Sequence, residues 1–327
     1  MDDQKYAGFL SDVEQLAAKE GLEHALFYVR GAAFFDADPR LRMREGVLLA
    51  GLRRFKEAAE VLEAVEPALT QEPERSVLAS ALATALMHLG RASEALPRIE
   101  SVSAAAPGTP SVDLLHAQIL DRAGRKAEAI ALLRSAAERR PDDLDLKASL
   151  AQALAAAGQA EEGLLLVREA ANQKPEHAAM LGAYGVCLSA LDRLGPSLRA
   201  LERAAALDTE TSTWPRALGQ VLLQLGDHRS AAEALETAVR RNDDDAQAHA
   251  LLCNLYVNRQ ELEAAVRHAR RVTEIEPGAA MSWLSLAIAL NEMGRHDEAR
   301  AALAEARRHP PLPAWAADLA LLIDNSA

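Results

Sequence analysis

From residue 76 to residue 311, small, apolar and polar positions recur with a fixed period of 34 residues. Stepping by that period from Gly90 reaches Gly124, Gly158, Asp192, Gly226, Gln260 and Gly294 without a gap or an insertion. Five places later the residues are Ala95, Ala129, Gly163, Ser197, Ala231, Ala265 and Ala299. Seven places earlier they are Ala83, Ala117, Ala151, Gly185, Gly219, Cys253 and Ala287. Every residue in these two columns is small. Small residues are needed where two helices approach so closely that a larger side chain would force them apart. Two apolar columns run beside them on the same helical faces: Leu86, Leu120, Leu154, Leu188, Leu222, Tyr256 and Leu290, and Ile99, Leu133, Val167, Leu201, Leu235, Ala269 and Leu303. The Gly column ends a first helix, and Pro107, Pro141, Pro175, Pro277 and Pro311 follow a second, with Thr209 and Asp243 in the proline column elsewhere. Each unit therefore reads as helix, turn, helix, turn, and the expected fold is all-α.

The pattern loosens at both ends. Ala58 lies 37 residues before Ala95, so residues 39–75 read as a degenerate repeat with a short insertion. Residues 1–38 carry two apolar stripes parted by Gly21, a divergent aromatic-rich hairpin or N-terminal cap. All five Phe of the chain fall within the first 55 residues. Residues 312–327 place Leu312, Trp315, Leu319, Leu322 and Ile323 on one helical stripe, the expected C-terminal capping helix.

Composition agrees with a helical array. Half of the 327 residues are hydrophobic but only 4% are aromatic, leaving Ala, Leu and Val as the packing residues. A net charge of −12 argues against nucleic acid as a partner, since phosphate binding needs clustered positive charge. No uncharged apolar run is long enough to insert in a membrane, and the acidic start lacks the order of a secretory signal, so a cytoplasmic location is expected. Two cysteines form neither a disulfide framework nor a metal site, and both read as buried thiols. Acidic clusters such as Asp142-Asp143 and Asp243-Asp244-Asp245 stand where helices begin and read as caps. Arg240-Arg241 and similar pairs stand where helices end. No motif for a nucleophile, a phosphate loop or a metal is present. The chain is thus expected to lack catalytic residues, metals and cofactors.

The 34-residue period, the small residues at columns eight and twenty, Trp283 at column four and Pro at column thirty-two resemble the tetratricopeptide repeat family. The resemblance implies a right-handed superhelical solenoid of antiparallel helix pairs. It also implies that first helices line a concave face, with columns two, five, nine, twelve and thirteen turned toward an extended segment of another protein. On this chain those columns hold Thr84, Gln118, Gln152, Gln220 and Asn254, flanked by Arg122, Arg216, Asn258 and Asn291. The carboxamides suit the peptide groups of an extended chain, because each has a donor and an acceptor. Arg122 and Arg216 are the candidates for selectivity. The family's carboxylate clamp needs Lys in these columns, where this chain has none, so an acidic chaperone tail is not the expected ligand. The alternative is a regulatory or targeting subunit, or a homodimer, acting through Tyr6, Phe9, Phe27, Phe34 and Phe35 with the repeats as a spacer.

Overall fold

The structure, a computed structural model, describes residues 2–35 and 37–325, apart from the side chains of Phe34, Phe35, Asn172 and Asn325. Among the described residues there are nineteen α-helices and no strand. They are α1 (Asp3–Glu20), α2 (Leu22–Phe35), α3 (Pro39–Gly51), α4 (Phe55–Val65), α5 (Glu74–His88), α6 (Ala92–Ala105), α7 (Pro110–Arg122), α8 (Lys126–Arg139), α9 (Leu144–Ala156) and α10 (Ala160–Gln173). They continue with α11 (Ala178–Ala190), α12 (Leu194–Leu207), α13 (Thr213–Gln224), α14 (His228–Arg241), α15 (Ala246–Asn258), α16 (Leu262–Ile275), α17 (Ala280–Glu292), α18 (His296–Ala306) and α19 (Ala316–Asn325). The extra residues before α5 include a short 3-10 turn, Glu66–Ala68.

Every turn from a first helix to a second, from α3–α4 onward, closes in the same way. After α5 the Arg91 amide donates to the Leu86 carbonyl at 2.8 Å and the Gly90 amide to that of Met87 at 3.2 Å. This pairing satisfies carbonyls that the helix leaves free, and it needs a left-handed residue at the turn. Gly90, Gly124, Gly158, Gly226 and Gly294 supply it with φ between 73° and 80°. Arg53, Asp192 and Gln260 hold the same conformation at φ 61°, 57° and 60° with a Cβ present. The amides of Arg193 and Glu261 still reach Leu188 and Tyr256 at 2.9 and 2.8 Å.

The small columns lie at the helix crossings. A Cβ added to Gly219 of α13 would stand 2.6 Å from Cγ of Leu235 on α14, and one on Gly185 would stand 2.7 Å from Cγ of Leu201. Gly46 occupies the same column in α3, where a Cβ would meet Leu62 Cγ at 2.4 Å. Ser197, the hydroxyl in the second small column, donates to the Gly185 carbonyl at 2.7 Å and is fully buried.

The chain divides into two compact units, Met1–Leu132 and Leu133–Ala327, with the division inside α8. In the first unit, Tyr6, Phe9 and Val13 of α1 join Leu26, Leu41, Leu49 and Leu62 in one core that continues to Ile119. In the second unit, each helix pair packs on the next, and successive first helices also touch. At its end Leu319, Ala320 and Ile323 of α19 cover Ala302, Leu303 and Ala306 of α18.

The inter-repeat turns that lack proline are held by side chains instead. Before α13, Asp208 accepts from the amides of Glu210 and Thr211, the Thr211 hydroxyl and the Trp214 indole N–H. Arg241 of α14 donates to the carbonyls of Ala205 and Asp208, so it caps the preceding second helix rather than its own. Before α15, Arg271 donates to the Asp243 carbonyl at 3.3 Å and pairs with Asp244 at 2.8 Å.

Candidate functional site

The side chains assigned to the first-helix face fall into two groups. Gln118 on α7, Gln220 on α13, and Asn254 and Asn258 on α15 are exposed and make no hydrogen bond among the described residues. The others are already engaged. The Thr84 hydroxyl donates to the Ser80 carbonyl at 2.8 Å, and Gln152 is half-buried with its amide nitrogen 3.4 Å from the Ala148 carbonyl. Asn291 shares a 3.1 Å contact with the His296 imidazole. Arg122 is exposed at the last turn of α7.

Arg216 is a brace. Its Nε donates to Asp245 Oδ2 at 3.1 Å, while Asp245 Oδ1 accepts the Ala248 amide and caps α15. One carboxylate thus joins the first helices of two successive repeats. Ser189 and Gln224 make a similar link between α11 and α13 at 3.3 Å.

The aromatic end needs a correction. Tyr6 and Phe9 are 5% and 7% exposed and belong to the core of the first unit. Arg40 lies 4.3 Å above the Tyr6 ring and Arg44 donates to its hydroxyl, so these side chains knit α1 to α3. Phe27 of α2 is the opposite case, 82% exposed. Phe34 and Phe35 also belong to the expected interface, but their side chains lie outside the described residues.

Two features escaped the reading of columns. His249 of α15 and His268 of α16 place their Nδ1 atoms 2.9 Å apart, with His249 Nε2 3.0 Å from the Asp243 carbonyl. Burial pushes the His268 imidazole down to about 4 and lowers that of His249 as well. A groove of about 400 Å³ is lined by Ala171 of α10, Leu181 and Tyr184 of α11, and Pro196, Arg199 and Arg203 of α12. Its signal in the sequence was Pro196 at a column that holds Glu94, Glu128, Glu162 and Glu298, with Ser230 and Ala264 in the two repeats that follow. Cys187 and Cys253 are buried, and burial pushes both thiols up to about 11, away from reactive thiolate. Among the described residues no group of three metal-ligating side chains converges, and no helix is long and apolar enough to cross a membrane.

Models of the tetratricopeptide repeat match residues 39–119, 122–187 and 222–282, and a second such model matches residues 280–308. The chain belongs to the tetratricopeptide repeat family. Its helix pairs are similar to those of several solved members. One, in the APC/C hetero-tetramer Cut9-Hcn1, aligns over 99% of this chain and 64% of its own, at 14% identity and a TM-score of 0.57. A second, TTC0263, a thermophilic tetratricopeptide repeat protein of Thermus thermophilus, covers 56% of this chain and 99% of its own, at 20% identity and a TM-score of 0.50. A third, YrrB, described as having an unusual peptide-binding site, covers 58% of this chain and 97% of its own, at 21% identity and a TM-score of 0.45. No curated protein matches the sequence. Membership explains why the small columns sit at helix crossings, and it leaves the partner open, since repeat arrays vary their binding residues on a constant frame.

Proposed function

We propose that this chain is a non-catalytic protein-interaction scaffold that holds an extended segment of another protein against its first helices, in a cytoplasmic setting. The observation that carries the reading is the state of the carboxamides. Gln220 and Asn254 stand one repeat apart on adjoining first helices, exposed and unused by the fold. Packed helices lie about 8–10 Å apart, and an extended chain advances about 3.3 Å per residue. One amide per repeat therefore meets the ligand backbone once in about three residues. Asn258, one turn along α15, offers a second contact beside Asn254. In the first unit Gln118 is equally unused and takes the same role on α7, with Arg122 beside it for selectivity and Thr84 as a weaker contributor.

Affinity capture from a host lysate tests this reading. The variant Gln220→Ala/Asn254→Ala/Asn258→Ala should lose the partner that wild type retains, with a melting temperature within a few degrees of wild type. Undiminished capture would remove the first-helix face from consideration. A second reading rests on Phe27, whose exposure suits docking on an enzyme or on a second copy through α2. There the substitution Phe27→Asp, not the amide variant, should abolish assembly as measured by light scattering.

A further inference from the structure

Arginines at the start of second helices follow a rule in this chain. The residue before the helix is Arg and the third residue of the helix is Glu in α4, α6, α8 and α18. The pair closes in each, at 2.7 Å for Arg54–Glu57, 2.6 Å for Arg91–Glu94 and 2.5 Å for Arg125–Glu128. The same Glu column also serves the preceding repeat: Arg134 on α8 reaches Glu162 on α10 at 2.6 Å, and Arg270 on α16 reaches Glu298 on α18 at 3.1 Å.

Helix α12 departs from this rule. Its third residue is Pro196, so its turn arginine meets no carboxylate there, whereas α14 and α16, which carry Ser230 and Ala264 in the column, have Asp227 and Glu261 at the turn instead of Arg. Arg193, the turn arginine of that pair, and Arg168, the counterpart of Arg134 and Arg270 on α10, are both exposed, and their side chains make no ion pair or hydrogen bond among the described residues. Arg199, one turn beyond Pro196, is equally exposed and unpaired, and Arg203 spends one nitrogen on the Pro175 carbonyl at 2.9 Å. The nearby Glu169 is occupied by Gln173, and Glu202 on the same helix pairs with none of these arginines. Pro196, Arg199 and Arg203 line the groove of about 400 Å³ together with Leu181 and Tyr184, whose hydroxyl has no partner among the described residues. Guanidinium groups without a counter-ion bind a planar carboxylate through paired N–H donors. Arg168, Arg193, Arg199 and Arg203 outnumber the neighbouring exposed carboxylates Glu169, Asp192 and Glu202, so on a chain of net charge −12 this face is locally positive and favours an anionic occupant.

We propose that the α11–α12 face centred on Pro196 receives an acidic segment of a partner protein, whose carboxylates replace the Glu missing from α12 and whose apolar side chain fills the groove over Leu181. This face uses side chains distinct from the first-helix carboxamides, and it stands or falls without them.

The test uses the full chain and a fluorescein-labelled peptide of alternating Glu and Leu, with its Gln-for-Glu counterpart as control, read by fluorescence anisotropy. The Glu peptide should bind at least about tenfold tighter than the Gln peptide and weaken as salt rises from about 50 to about 300 mM. Pro196→Glu restores the internal carboxylate and should lower the affinity about tenfold or more, as should Arg168→Gln/Arg193→Gln, with thermal melts unchanged. Equal binding of the two peptides, or unaltered affinity in both variants, would overturn the proposal. So would loss of the Glu peptide only in the Gln220/Asn254/Asn258 alanine variant, which would move it to the first-helix face. Inorganic phosphate is titrated alone as a further arm, and phosphate binding without Glu-peptide binding would reduce the face to a simple anion site and overturn the peptide reading.

Discussion

At Asp192 and Gln260 the chain holds a left-handed turn with residues that bear a Cβ, where the equivalent positions after α5, α7, α9, α13 and α17 have glycine. That conformation costs an L-residue about 1–2 kcal/mol, while glycine adopts it freely at some entropic expense in the unfolded chain. Gln260→Gly should therefore raise stability by up to about 1 kcal/mol in urea titration, and Gly158→Ala should lower it by about as much or more. The glycine column was legible because left-handed turns select glycine. Asp192 and Gln260 were legible only by register, since nothing in either side chain announces a positive φ. The same limit applied to Arg216: its type and column suggested ligand selectivity, but the bond to Asp245 depends on how α15 is capped.

Between elements, contact distance governs. The 2.6 Å gap that a Cβ on Gly219 would leave to Leu235 forces a shift of α13 from α14, so Gly219→Ala should cost about 1–3 kcal/mol. Pairing it with Leu235→Ala should show coupling in a double-mutant cycle, because the second change removes the atom that clashes. The histidines between α15 and α16 give a second expectation. Burial holds His268 at about 4 and lowers His249, against an unfolded value of 6.5. Protons then bind the unfolded chain more strongly, so this contribution is intact above pH 6.5 and is lost as pH falls toward 4. Melting temperature should drop across that window, and less steeply in His268→Gln. Pattern reading found the helices and their buried columns, since burial repeats with the period. It missed the histidine pair and the unpaired arginines, because both arise where one repeat departs from the others.

Over the whole molecule, stability is expected to be the sum of helix pairs and the surfaces between neighbours. The helix α19 closes the second unit by burying Leu319 and Ile323 on α18. Burying such side chains contributes about 1.5–3 kcal/mol each. Removing residues 312–327 should therefore speed amide exchange in α17 and α18 while leaving α9–α12 as protected as before. Of the apolar stripe read for this helix, Leu319 and Ile323 are buried while Trp315 and Leu322 are exposed, and the division at Leu132/Leu133 was not readable, since the 34-residue register runs through it unbroken. Substantive contacts within each unit join only successive pairs. Under a pulling force applied at the chain ends, each unit has, among the described residues, no distant clamp to shear. It should peel pair by pair at low tension, each 34-residue step releasing about 11–12 nm of extended chain.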